Sequence, residues 1–221
     1  MLQDYSFIHI PKTAGSSIEM DAKTLKLELV VAPKYALLPN IPKRWPAPWH
    51  HPADVFEKRF NMSRSPNHKP LLCVVRNPID RLENEVNYQV MRFKRSRSNV
   101  IRETMIFVKE ILRAPSRFSI PITQWVPRSE RLVHLIPQHW FVWDDDGSLR
   151  CKCVVSFEKL NILNITKHVW KYKHDIRIKW SKELEKLYRI DEILWKRAKK
   201  THSLCYTPCN SMDMCFGGSS K

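Results

Sequence analysis

The sequence contains no apolar run long enough to cross a membrane, and this absence sets the first limit on its function. A helical span needs about 18 consecutive apolar residues, and no stretch of the 221 residues approaches that length. The first residues also lack the basic and apolar regions of a signal peptide. We therefore expect a soluble chain with no membrane span, whose anchor was removed or never present if it works in the secretory pathway.

Acidic residues are scarce relative to basic ones. The chain has 22 Asp and Glu against 38 Lys and Arg, a formal net charge of +16. This excess predicts a polyanionic partner, and nucleic acid, an anionic polysaccharide, a phosphorylated cofactor and an acidic membrane all stay open. The length suits one α/β domain with a substantial core. We assign residues 1–200 to that domain and residues 201–221 to a Cys-containing tail, which we expect to be loosely ordered.

The common metal-binding patterns are missing as well. The late cysteines form a CxC at 151–153 and a CxxxC at 205–209, followed by Cys215, but not the paired CxxC motifs of structural zinc sites. The acidic run at 144–146 does not match the calcium loop DxDxDG. We predict no metal site. Disulfides explain the late cysteines better if the compartment is oxidising, whereas Cys73, inside an apolar run, is expected to be a small buried side chain.

The Walker phosphate loop GxxxxGK[ST] is absent too, which disfavours a nucleotide hydrolase. A different phosphate-binding pattern is present: residues 5–10 predict a short buried strand, and Lys12 to Ser17 supply a lysine, a glycine and three hydroxyls before a helix-compatible run. The unpaired N–H groups and the dipole of a helix start favour an anion. Gly15 lets the backbone approach that anion, and Lys12 supplies a point charge.

A second anion-binding element follows the next predicted strand, Pro70 to Val75, whose continuous apolar run is typical of a strand buried on both faces. Arg76 comes directly after it, before an Asn-Pro start of a helix. The carboxyl end of such a strand borders the crevice where open α/β sheets bind ligands, and a guanidinium can donate two parallel hydrogen bonds to a phosphate. The alternative is an ion pair between Arg76 and Asp80.

The other segments complete an alternating pattern of helices and extended stretches. We expect helices from Ser16, over 54–60 and over 181–200, the last with Ser181 as its N-cap. Extended segments are expected at 132–143 and 153–157, joined by a turn at 144–148, and a proline-rich loop at 32–52. The pattern predicts a three-layer α/β sandwich around a mainly parallel central sheet.

The two anion-binding elements resemble those of a known family. Residues 7–19, FIHIPKTAGSSIE, are similar to the 5′-phosphosulfate loop of sulfotransferases that use PAPS (3′-phosphoadenylyl sulfate), and residues 74–82, VVRNPIDRL, to their 3′-phosphate element. Order and spacing are closest to the Golgi-type carbohydrate O-sulfotransferases of the heparan 2-O and chondroitin types. The resemblance, which extends to about Lys200, implies a P-loop-like fold and a sulfotransferase domain over 1–200.

The reaction implied by this resemblance is sulfuryl transfer from PAPS to an acceptor hydroxyl, with an anionic glycan as the expected partner and no nucleic acid. The implied compartment is the Golgi lumen if an anchor is missing; otherwise we expect a soluble cytoplasmic protein. The oligomeric state is left open.

The resemblance also implies individual roles within the two elements. Lys12 would be the catalytic cation at the leaving group, and the 3′-phosphate would be held by Arg76 and Asn84. Asn84 stands where the family usually has a serine, but its amide can still donate a hydrogen bond to a phosphate oxygen. The scheme requires no metal. The 5′-phosphate would be bound by Lys12, Thr13, Ala14, Gly15, Ser16 and Ser17.

The general base is expected to be a histidine, because its ordinary pKa of about 6.5 suits proton transfer near neutrality. His51 is the leading choice, since the stretch that follows it resembles the one after the catalytic histidine of the heparan 2-O enzymes. His50, Glu19 and His139 are the alternatives. His9, which alternates with strand residues, is expected to be structural.

The segment from Tyr88 to Arg117 is strongly basic and has helical periodicity. It is either a solvated helix face or a binding track for an acidic polysaccharide beside the cofactor. Two other functions compete with sulfuryl transfer. A kinase-like phosphotransferase would need a Walker motif and a magnesium ligand, and a non-catalytic polyanion-binding or nucleic-acid-binding protein would explain the charge but not the two phosphate elements.

Overall fold

We analysed a computed structural model of the full chain. The structure describes residues 4–25, 28–29, 52–60, 69–114, 116, 133–163, 165 and 176–216. The proline-rich segment predicted at 32–52 lies outside these ranges except for Pro52.

The fold is α/β and is organised around a small parallel sheet. Its four strands are β1 (Ser6–Ile8), β2 (Glu28–Leu29), β3 (Leu71–Val75) and β4 (Cys151–Ser156), in the order β2-β1-β3-β4. Every pairing is parallel, with Ile8 opposite Cys73 and Val75 opposite Ser156. The predictions of β1 and β3 are confirmed. Both consist of buried apolar runs, as expected for strands covered on two faces.

Seven α-helices flank the sheet within the described ranges: α1 (Gly15–Leu25), α2 (Ala53–Phe60), α3 (Pro78–Phe93), α4 (Arg97–Arg113), α5 (His139–Val142), α6 (Lys182–Lys200) and α7 (Met212–Phe216). Two 3₁₀ segments lie at Val133–Leu135 and Phe157–Leu163. Asn77 caps α3 by accepting a hydrogen bond from the Ile79 amide, and Ser181 caps α6 as predicted. None of the helices in the described part of the chain is long and apolar enough for a membrane span.

The core lies on both faces of the sheet because successive strand residues point in opposite directions. Ile8, Cys73 and Val75 pack into the larger cluster, which includes side chains of α3, α4 and α6. Phe7, Leu72 and Val74 face the other way and join a second cluster that contains Ile18 of α1. The strand ends that carry the candidate site are therefore held rigidly by two packed layers.

The segment 132–143, predicted as extended, instead forms the 3₁₀ turn and α5. The reason is a distant acceptor that the sequence pattern does not reveal. The buried Asp191 carboxylate of α6 accepts hydrogen bonds from the amides of Gln138 and His139, at 2.7 and 2.9 Å. Asp191 also contacts His139 Nδ1 at 2.7 Å. A carboxylate at this position stabilises a helix start, so tertiary context overrides the extended pattern.

The six cysteines form three disulfides: Cys73–Cys151, Cys153–Cys205 and Cys209–Cys215. The expectation for Cys73 was thus incomplete, because this fully buried residue is also cross-linked to the neighbouring strand. The expected loose ordering of the tail is not seen over 201–216. Tyr206 exchanges two backbone hydrogen bonds with Val154 of β4, each 2.9 Å long, and α7 follows.

A candidate anion site at the carboxyl edge of the sheet

The candidate site lies where the order of strand addition in the sheet reverses. From β1 the chain first forms β2 on one side and then β3 on the other side of β1. The crevice beyond the carboxyl ends of β1 and β3 is therefore a topological switch point, the position where open α/β sheets bind ligands. The loop after β1 carries Lys12 to Ser17, and the residue directly after β3 is Arg76. The two predicted anion-binding elements are therefore neighbours at one edge of the sheet.

The loop after β1 turns sharply into α1. Lys12 and Ala14 both adopt positive φ, at 65° and 72°, a conformation that costs roughly 1–2 kcal/mol for a residue with a Cβ. Thr13 is fully buried, and its Oγ1 donates a 2.8 Å hydrogen bond to the Ile10 carbonyl. The amides of Ser17 and Ile18 both donate to the Ala14 carbonyl. The loop thus leads directly into α1, and Ser16 in the first turn of that helix is exposed.

Gly15 is required by close packing and not by its backbone angles. A Cβ added at Gly15 would collide with the ring of His9. The ring is buried, and its Nδ1 contacts Glu19 Oε1 at 2.7 Å. His9 is thus structural, as expected, and Glu19 pairs with it across the first turns of α1.

A buried arginine holds the loop against the rest of the site. Arg81 of α3 is only 2% exposed. Its Nε donates to the Pro11 carbonyl at 2.9 Å, and its Nη2 donates to the carbonyls of His134 and Ile136 at 2.7 and 2.8 Å. Burial lowers the pKa of Arg81, but a guanidinium keeps its proton in proteins. The Arg81 side chain therefore links three parts of the structure: the loop after β1, α3 and the segment 133–136.

Lys12 extends along α3 from the loop. Its Nζ lies 3.3 Å from Glu85 Oε2 and 3.2 Å from the centroid of the Tyr88 ring. Burial lowers the pKa of Lys12, and Glu85 opposes this shift. An aromatic face and a carboxylate both favour the charged form of an amine. The site therefore holds a preorganised cation beside the crevice.

Glu85 is the electrostatic centre of this group. It is 1% exposed, and its Oε2 also contacts His134 Nδ1 at 2.8 Å. The Gln89 side-chain amide donates to Oε1. Burial alone would raise the pKa of Glu85, but electrostatic attraction to His134 and Lys12, together with hydrogen bonds to His134 and Gln89, outweighs burial, so that the pKa of Glu85 lies below its usual value. Glu85 is thus held as a carboxylate shared by a lysine and a histidine.

Arg76 has the features of a hydrogen-bond donor for a bound anion. Its backbone is fixed by Gln138, which accepts from the Arg76 amide at 2.8 Å and donates to its carbonyl at 2.9 Å. Its guanidinium lies over the Phe157 ring, 4.6 Å from the centroid. The Nε is buried and has no hydrogen-bond partner. Asp80, the alternative partner, attracts the guanidinium electrostatically, but no direct ion pair joins the two side chains in the described part of the chain. Burial lowers the pKa of Arg76, and the nearby carboxylates of Asp80 and Glu158 oppose this shift only in part.

The remaining predicted site residues are placed as follows. Asn84 is half-buried on α3, directly before Glu85. His139, an alternative base, is buried against Asp191 and serves the start of α5. His50 and His51 lie outside the described residues, so the predicted base has no described position. Within the described part of the chain, no group of three or more His, Cys, Asp or Glu is arranged to hold a metal ion.

Three residues of this site are not predicted from the sequence: Arg81, Glu85 and His134. The first two share one face of α3 with Tyr88, at spacings of four and three residues, which was a detectable signal. Polar residues at such spacing inside an amphipathic helix indicate a buried polar network. His134 gave no comparable signal, because only the fold brings it to Glu85.

Comparisons of the chain with models of protein families, with curated proteins and with solved structures found no match.

Proposed function

We propose that this protein is a PAPS-dependent O-sulfotransferase with a P-loop-like three-layer fold that sulfates a carbohydrate hydroxyl. One observation carries the proposal. Two basic elements follow the carboxyl ends of β1 and β3, which are adjacent parallel strands that meet at a topological switch point. One element is the Lys12 loop and the other is Arg76. Two separate anion sites suit a nucleotide with phosphates at both its 5′ and 3′ positions better than a nucleoside triphosphate, whose phosphates form one chain.

In the proposed reaction the acceptor oxygen attacks the sulfur of PAPS in line. The new S–O bond forms as the bond between sulfur and the bridging phosphate oxygen breaks, and adenosine 3′,5′-bisphosphate leaves with that electron pair. The acceptor proton passes to a general base. Lys12 stabilises the negative charge that develops on the bridging oxygen. In this scheme residues 12–17 bind the 5′-phosphate, and Arg76 and Asn84 bind the 3′-phosphate.

The residues present fit such a ligand chemically. The buried and unpartnered Nε of Arg76 calls for an acceptor, and a phosphate oxygen is one. Lys12 needs only to rotate from Glu85 to a phosphate oxygen, because lysine has a long flexible stem. His51 is retained as the proposed base because the stretch that follows it resembles the one after the catalytic histidine of the heparan 2-O enzymes.

Isothermal titration calorimetry with adenosine 3′,5′-bisphosphate and with ATP tests this proposal. We expect the bisphosphate to bind without magnesium, and ATP to bind much more weakly. Arg76→Ala should weaken bisphosphate binding by roughly 10- to 100-fold, the value of a hydrogen bond to a charged group. Lys152→Ala is the matched control, because Lys152 is an exposed cation near the opposite end of β4. Absence of bisphosphate binding would refute the proposal.

A second measurement separates binding from catalysis. With labelled PAPS and a panel of glycans, Lys12→Ala should abolish sulfate transfer. His51→Ala should abolish turnover while bisphosphate affinity is retained, because the base contacts the acceptor and not the donor. Loss of both properties in His51→Ala would assign that residue a structural role instead.

A further inference from the structure

The end of α3 that points away from the sheet carries an unusual combination of exposed side chains. Phe93 is 42% exposed and Met91 is 64% exposed. Arg92 and Lys94 are exposed beside them. Apolar side chains exposed together and rimmed by polar or charged residues are a feature of interaction sites. We call Tyr88, Arg92, Phe93 and Lys94 the α3 shelf.

The cations of the α3 shelf, Arg92 and Lys94, differ from the neighbouring Arg95 and Arg177. Arg95 pairs with Glu103, Arg177 pairs with Glu83, and Arg97 donates to the Arg177 carbonyl. Arg92 and Lys94 have no such partner among the described residues. Their charges are therefore available to an external anion, whereas those of Arg95 and Arg177 are already neutralised.

The α3 shelf is connected directly to the proposed reaction centre. The Phe93 ring meets the Tyr88 ring edge-on, with centroids 5.6 Å apart. The opposite neighbour of Tyr88 is Lys12, whose Nζ lies 3.2 Å from the ring centroid. Tyr88 and Arg92 are four residues apart and share one helix face. The Tyr88 and Phe93 rings thus link Lys12 to the exposed end of α3, which also carries Arg92 and Lys94.

We propose that the α3 shelf is the acceptor subsite and that it binds an anionic carbohydrate. This inference rests on the proposed function. Aromatic rings present flat apolar surfaces that suit the C–H face of a pyranose ring, while Arg92 and Lys94 supply partners for its carboxylate or sulfate groups. The net charge of +16 attracts such a chain from solution. A nucleic acid would also satisfy the cations, and the experiment below separates the two.

The test is calorimetric binding of a chondroitin sulfate hexasaccharide at fixed salt, with and without adenosine 3′,5′-bisphosphate. Phe93→Ala and the double variant Arg92→Ala/Lys94→Ala should each weaken hexasaccharide binding about tenfold or more. Both should leave the bisphosphate affinity unchanged. All these side chains are exposed, so the variants should fold, and circular dichroism melting curves verify that they do.

Arg113→Ala is the matched control. It removes one exposed cation at the far end of α4, about 24 Å from Arg97 at 1.5 Å per residue. A neutral hexasaccharide of N-acetylglucosamine and a single-stranded DNA oligomer of equal charge complete the set of probes. We expect the neutral sugar and the DNA to bind more weakly than the chondroitin sulfate hexasaccharide.

The outcomes distinguish this inference from the proposed function. If bisphosphate binds but the shelf variants bind the hexasaccharide as well as wild type does, the subsite assignment is wrong and the sulfotransferase proposal stands. The subsite assignment would also be wrong if Arg113→Ala lost as much hexasaccharide affinity as the shelf variants do. Tighter binding of the DNA oligomer than of the hexasaccharide would contradict it as well. If no variant or wild-type protein binds bisphosphate, the proposed function fails and the acceptor assignment fails with it.

Discussion

At the scale of single residues, Glu85 controls the charge of Lys12. The lysine is taken out of water by its position against α3, and burial lowers its pKa. Glu85 raises that pKa again from 3.3 Å away. The proposed role of Lys12 at a leaving phosphate requires the charged form, so a residue that makes no contact with the donor would decide whether the donor is bound productively.

Glu85→Gln should therefore lower the pKa of Lys12 further. We expect bisphosphate affinity, measured by calorimetry as a function of pH, to decline at a lower alkaline pH in Glu85→Gln than in wild type. In the double variant Lys12→Arg/Glu85→Gln this alkaline decline should be absent, because a guanidinium does not lose its proton. If bisphosphate affinity declined at the same alkaline pH in Glu85→Gln and in wild type, the proposed effect of Glu85 on the pKa of Lys12 would be wrong.

The same carboxylate should make stability depend on acid pH. The pKa of Glu85 is depressed in the folded state, so its contribution is present above its unfolded pKa of about 4.3 and is lost as the pH falls through the folded value. Urea unfolding between pH 7 and pH 3 should show a smaller loss of stability in Glu85→Gln than in wild type. Glu103→Gln, which removes a more exposed carboxylate, is the control.

Gly15 gives a residue-scale prediction about packing. Gly15→Ala should destabilise the fold by about 1–3 kcal/mol, the usual cost of overpacking, because the new Cβ would occupy the space of the His9 ring. The double variant His9→Ala/Gly15→Ala should recover part of the loss. Urea unfolding of the two single variants and the double variant measures this coupling, and additive effects would show that the collision is relieved elsewhere.

At the scale of elements, Arg81 joins three segments through backbone carbonyls. Arg81→Met should leave the carbonyls of Pro11, His134 and Ile136 without their donor. Removing one partner of a buried charged network costs about 3–5 kcal/mol, and urea unfolding should register that loss. Arg102→Met is the control, since Arg102 is exposed on α4 and its loss should change stability by less than about 0.5 kcal/mol.

How far the sequence predicts the elements depends on where their stabilising contacts come from. β3, α3 and α6 follow from local signals: an apolar run, an Asn-Pro start and a Ser N-cap. α5 does not, because its cap is Asp191, 52 residues from His139. The same limit applies to the site. The Lys12 loop and Arg76 are recognisable from local sequence, whereas the contacts of His134 and Gln138 depend on long-range folding.

At the scale of the whole molecule, the disulfides should contribute unequally. Cys153–Cys205 spans 52 residues and ties the tail to β4, whereas Cys209–Cys215 spans 6. The loop-entropy model gives about 4 kcal/mol for the first and about 2 kcal/mol for the second. Urea unfolding of Cys153→Ser/Cys205→Ser and Cys209→Ser/Cys215→Ser should show this order. A larger loss from the shorter loop would contradict the entropic explanation.

The clamp made by Arg81 also has a consequence for the order in which the protein folds. Its acceptors lie 53 to 70 residues away along the chain, so local hydrogen bonds alone do not complete the contacts of the loop after β1. Contacts of such sequence separation form late and slowly, and we expect the Arg81 clamp to form after the local turns. The anion site is then among the last regions to be completed during folding. If the proposed donor site is right, a nascent or partly unfolded chain should lack affinity for adenosine 3′,5′-bisphosphate, so that binding of this nucleotide would report that folding is complete.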